Sequence, residues 1–136
     1  MKISVIYYTM TGHSKKMAEA ISKELNISPK NIRKDPLLED VDLLYIISGI
    51  YGDKSSPVLI EYVKKLSKRN VKKVALITSS GNKITKPIEV REILENNGIN
   101  VLKDEFLYPG GFMFFGGHPN KEDIMNAINF VRETLK

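Results

Sequence analysis

Apolar positions along this chain fall into two alternating periods, one of strands and one of helices. Lys2–Tyr8 is a β-branched and aromatic run, the pattern of a buried strand. Met17, Ile21 and Leu25 then recur four apart, which puts them on one helix face. The short polar stretch Asn31–Lys34 predicts a brief second strand. Leu43–Ile47 is continuously apolar, as a central parallel strand covered on both faces would be. Ser56-Pro57 opens a second helix, with Ser as N-cap and Pro in the first turn. Leu59, Tyr62, Val63 and Leu66 supply its core face. Lys73–Thr78 reads as another buried strand. Pro87 starts a third helix with Val90, Ile93 and Leu94 inward and Gly98 as its stop. Ile99–Leu107 is the fifth predicted strand. Asn120, with Asp123 three residues on, caps a last helix carrying Ile124, Ile128, Val131 and Leu135.

Strand and helix in alternation imply an α/β fold, a three-layer doubly wound sheet of five parallel strands. A chain of 136 residues supports one such domain, residues 1–136. Folds of this kind bind ligands at the carboxyl ends of the strands, so the loops after strands one, three and four are where chemistry is expected. Composition narrows that chemistry. There is no Cys, hence no disulfide, thiolate metal site or Cys nucleophile, and only His13 and His118 remain as soft ligands. No metal site is expected. The apolar runs are too short for a membrane span, and no cleavage pattern follows Lys2, so a soluble, cytoplasmic protein is expected. The net charge of +5 favours acidic partners or anionic ligands. Its cations are scattered (Lys15, Lys16, Lys64, Lys65, Lys72, Lys73) rather than striped or interleaved with aromatics, which argues against nucleic acid.

Thr9-Met10-Thr11-Gly12-His13-Ser14 runs from strand one straight into a helix. Its hydroxyls and Gly, at a helix N-terminus, suit either an anion site or a simple capped turn. It lacks the three glycines of a dinucleotide fingerprint and the Gly-Lys-Ser/Thr of a P-loop. Ser48-Gly49-Ile50-Tyr51-Gly52-Asp53 sets a Tyr between glycines, able to lie against a flat ligand or to be an incidental turn aromatic. Thr78-Ser79-Ser80-Gly81-Asn82-Lys83 is again small and polar. No catalytic residue stands out. His13 reads as a loop donor, His118 as part of a helix entry, and Asp53 and Glu105 have no visible carboxylate partner.

Together these loops reach a family. Thr9-x-Thr11-Gly12-x-Ser14 resembles the phosphate loop of flavodoxins, Ser48–Asp53 looks like their second flavin loop, and Ser79–Lys83 sits where their third would be. The closing Gly117-His118-Pro119-Asn120-x-x-Asp123 segment also resembles one found in small flavodoxin-family proteins. The resemblance implies FMN as cofactor and the strand order 2-1-3-4-5, neither of which the periodicity gives. It implies that Thr9, Met10, Thr11, Gly12, His13 and Ser14 hold the phosphate. Ser48, Gly49, Ile50, Tyr51, Gly52 and Asp53 would then flank the ring, with Tyr51 stacked and the Gly52 backbone near N5. Ser79, Ser80, Gly81 and Asn82 would line the pyrimidine edge. The chain departs from carrier-type members in being basic and in lacking a second aromatic in Ser79–Lys83. The apolar Phe112–Phe115 within Tyr108–Gly117 needs a cover: its own core, a second copy in a homodimer, or the flavin. The implied function is electron transfer with a redox partner protein or small-molecule acceptor. An FMN-dependent NAD(P)H/quinone-type reductase and a flavin-free interaction module are the alternatives.

Overall fold

Period-two alternation in the first strand sorts the whole core. In a computed structural model, β1 (Ile3–Tyr7) sends Val5 and Tyr7 to one side of the sheet and Ile6, with the adjoining Tyr8, to the other. The structure describes residues 1–8, 12–51, 54–81, 85–109 and 119–136, with the backbone alone at Tyr51. Val5 and Tyr7 join Leu43, Tyr45 and Ile47 of β3 (Val41–Tyr51) and Ala75 and Ile77 of β5 (Val71–Ser80). That layer is covered by Met17, Ala18 and Ile21 of α1 (His13–Leu25) and by Ala127 and Val131 of α4 (Lys121–Thr134). The opposite layer joins Ile6, Leu44, Ile46, Val74 and Leu76. Its cover is Leu59 and Val63 of α2 (Pro57–Lys64) with Val90 and Leu94 of α3 (Ile88–Asn96). Each fully buried aliphatic side chain contributes about 1.5–3 kcal/mol, and both layers consist largely of such residues.

The main path of the sheet is β2-β1-β3-β5-β6, with β2 at Lys30–Asn31 and β6 at Asn100–Val101. All pairings along that path are parallel. The three-layer α/β fold is therefore as expected, with differences at the strand limits. The brief second strand ends at Asn31, and Ile32–Lys34 form a 3-10 turn capped by the Asn31 side chain. The fifth strand is two pieces, β6 and β7 (Phe106–Pro109), both parallel to β5. A two-residue strand, β4 (Lys54–Ser55), folds back antiparallel on β3.

Helix starts follow the local chemistry. Ser56 Oγ accepts from Val58 N at 3.1 Å. Asn120 and Asp123 form a reciprocal capping box, with bonds of 2.8 and 2.9 Å. Gly98, at φ +83°, closes α3 in the left-handed region, where a side chain would be strained. No helix among the described residues is long and apolar enough to cross a membrane.

Candidate functional site

Because the long strands run parallel, the ends of β1, β3, β5 and β7 and the starts of α1, α2, α3 and α4 all lie along one edge of the sheet. At the first of these junctions, Gly12 is the N-cap of α1 at φ +89°, a value that favours Gly over any other residue. It is exposed, and among the described residues, its chain neighbours aside, no atom lies within 4 Å of where a Cβ would stand. The ladder of α1 begins with Lys16 N donating to Gly12 O at 3.2 Å. A helix leaves the amides of its first turn without an intrahelical carbonyl. Ser14 is 1% exposed, and its Oγ has no hydrogen-bond partner among the described residues. An unsatisfied buried hydroxyl costs about 1–3 kcal/mol. The first turn carries no acid and does carry Lys15 and Lys16, the reverse of what the helix dipole favours. Dipole, open glycine, orphaned hydroxyl and lysines all suit an anion here. His13, the first residue of the helix, is half-buried. Thr9, Met10 and Thr11 lie outside the described residues.

At the second junction, the expected loop is mostly strand. Ser48, Gly49, Ile50 and the Tyr51 backbone continue β3, with Ser48, Gly49 and Ile50 in register with Thr78, Ser79 and Ser80 of β5. Tyr51 pairs with Lys54 and Ile50 with Ser55, so β4 runs back antiparallel along the end of β3. Gly52 and Asp53 themselves fall outside the described residues. The third loop is corrected likewise. Ser79 and Ser80 are buried residues of β5, held by Tyr108 and Pro109 on the other side. Ser80 Oγ accepts from Thr85 N at 3.4 Å, tying the strand end to the approach to α3. Gly81 is exposed beyond it, and Asn82 and Lys83 lie outside the described residues. Thr78 Oγ1, opposite Ser48, is a second buried hydroxyl without a partner among the described residues.

The predicted cover segment begins later than expected, since Tyr108 and Pro109 belong to β7. Tyr108 is 2% exposed and stacks on Phe106 at 6.0 Å between ring centroids. Phe112–Phe115 and His118 lie outside the described residues. Two contacts near this edge were invisible in the sequence. Arg33 donates to Tyr8 Oη at 3.1 Å, with its guanidinium 5.0 Å from the Tyr8 ring centroid. That contact joins the turn after β2 to the residue that leads into Thr9. Glu105 is paired after all, with a cation: Arg91 reaches its Oε2 at 2.9 Å and also bonds Leu102 O at 2.7 Å. Both contacts span long stretches of chain, so no local spacing announces them. Among the described residues, no group of three or more His, Asp or Glu is arranged to hold a metal ion.

A family model described as "Flavodoxin domain" matches residues 4–120. An uncharacterized protein of Methanocaldococcus jannaschii is 32% identical over 151 residues, covering 100% of this chain and 99% of that one. Among solved structures, oxidised flavodoxin 2 from Bacillus cereus superposes with a TM-score of 0.74 at 17% identity, covering 97% of this chain and 96% of that one. An NAD(P)H:quinone oxidoreductase from Methanothermobacter marburgensis gives 0.64 at 15% identity, covering 98% and 96%. At such identities the structural likeness speaks to the fold.

Proposed function

Because this chain belongs to the flavodoxin family, we propose that it holds FMN at the carboxyl edge of its sheet and exchanges electrons with an external donor or acceptor. The carrying observation is Ser14, a buried hydroxyl without a partner among the described residues, in the first turn of a helix with no acid there. A phosphate oxygen would satisfy that hydroxyl at the end of the helix whose dipole favours an anion. In this reading Thr9, Met10, Thr11, Gly12, His13 and Ser14 hold the phosphate. Tyr51 stacks on the ring, the backbone of Gly52 approaches it, and Ser79, Ser80, Gly81 and Asn82 line its polar edge. The bound flavin supplies reversible uptake of one or two electrons. This chain supplies the anchorage: the α1 dipole neutralises the phosphate, and the buried ends of β3 and β5 form a fixed floor.

Loading the purified protein with excess FMN, desalting it and recording its visible spectrum tests this. Close to one flavin per chain is expected. A colourless protein after loading contradicts the proposal and favours an interaction module without flavin. The reductase reading is favoured by exposed Lys54 beside the second loop, since a cation there stabilises a reduced, anionic ring. Steady-state turnover of NAD(P)H with a quinone separates reductase from carrier.

A further inference from the structure

The sequence holds a single Asn-Gly pair, Asn97-Gly98, and the fold uses both residues. Gly98 closes α3 through two bonds. Its amide donates to Glu95 O at 2.9 Å, and the Ile99 amide donates to Leu94 O at 3.0 Å. This is a Schellman closure, which the left-handed φ of +83° at Gly98 permits. Asn97 works across the helices instead. Its side-chain Nδ2 donates to Leu66 O at 2.9 Å, with Lys64 O and Val63 O both at 3.4 Å. A helix leaves its last carbonyls without α-helical donors, so one side chain from the end of α3 caps the end of α2.

Asn-Gly is also the pair most open to deamidation, because a glycine nitrogen attacks with no side chain in its way. The Gly98 nitrogen bonds to Asn97 Cγ, the Cγ–Nδ2 bond breaks, and ammonia leaves with the amide proton. Water then opens the succinimide at either carbonyl, leaving aspartate or isoaspartate. Both reacting groups are occupied in this fold. Glu95 O holds the Gly98 N–H and the α2 carbonyls hold Nδ2, so ring closure has to break the Schellman bond and the bridge together. We propose that Asn97-Gly98 is a latent deamidation site held shut by the fold, and that its conversion releases the end of α2 from α3. The product carries only oxygen where Asn97 carries its N–H donor. That carboxylate faces carbonyl oxygens at the negative ends of two helices. Lys68, whose Cε stands 2.8 Å from where a Gly98 Cβ would be, can offset the charge but cannot restore the donor.

The full chain is incubated folded and in urea, at the same mildly alkaline pH and temperature. Peptide mapping reads the mass gain at Asn97, and an isoaspartyl methyltransferase assay reads the isoaspartate. Conversion in urea should be at least about tenfold faster than in the folded protein. Equal rates would overturn the claim that the fold holds the site shut. The release of α2 is read by hydrogen exchange of Asn97→Asp against wild type. Exchange at the amides of Lys65, Leu66, Gly98 and Ile99 should rise at least about fivefold more than in α1 and α4. A uniform rise along the chain, or none, would overturn the release. Should Asn97→Asp not fold, wild type aged to partial conversion supplies the comparison. Limited proteolysis should then cleave the deamidated molecules first, and equal cleavage of both forms would overturn the release.

Discussion

At the scale of single residues, Gly12 and Ser14 carry the most chemistry for their size. Gly12 holds φ +89° so that the chain can enter α1, and Ser14 brings a buried hydroxyl to that turn. Both were legible in the sequence, because a Gly among hydroxyls before a helical period is a local signal. Arg33 was not, since its partner Tyr8 is distant in the chain and meets it only after β2 pairs with β1. Tyr51 is the residue whose role is most open to direct measurement. If its ring stacks on bound flavin, Tyr51→Ala should relieve quenching of flavin fluorescence and weaken binding by roughly 0.5–1.5 kcal/mol. Unaltered emission from the bound flavin would place the stacking partner elsewhere.

Elements were legible where their signals are local, as at the Ser56 and Asn120 caps. Strand ends were not. Ser48, Gly49, Ser79 and Ser80 have the composition of turns, yet the β3–β5 ladder carries them as strand because each is paired across to its neighbour. The fifth strand breaks at residues 102–105, where Leu102 O and Glu105 both bond Arg91 of α3. The side chain of Glu105 is 5% exposed and that of Arg91 21%. Removing one partner of a buried pair leaves a charge stranded, so Glu105→Ala should cost about 3 kcal/mol, measured by denaturant unfolding. A loss under about 1 kcal/mol would mean the pair is not holding the break. Tyr62 of α2 gives a pH prediction. Burial, with Asp35 adding, pushes its hydroxyl up to about 12 from 10.0, and it donates to Pro36 O at 2.6 Å. The folded state then keeps a proton that the unfolded chain releases, so this contribution is full below pH 10 and lost as pH rises toward 12. Tyr62→Phe should be less stable by about 1 kcal/mol at neutral pH, with the gap narrowing in melts above pH 10. A constant gap would refute that linkage.

Across the whole molecule, a net charge of +5 sets the electrostatics that a cofactor would meet. Lys54→Gln should lower the midpoint potential of bound flavin, by an energy of no more than about 1 kcal/mol because the lysine is exposed. An unmoved or raised potential in spectroelectrochemistry would show that this charge does not act on the ring. The three-layer architecture was legible from periodicity, whereas the expected cofactor came from the resemblance of three loops to those of flavodoxins. That claim is tested most directly by titrating apo-protein with FMN and with riboflavin, in wild type and in Thr11→Ala plus Ser14→Ala. A phosphate held at the start of α1 predicts that the double variant loses FMN affinity by about 1.5–3 kcal/mol per lost contact while riboflavin, which has no phosphate, binds both proteins alike. Equal FMN affinity in the two proteins would contradict the account.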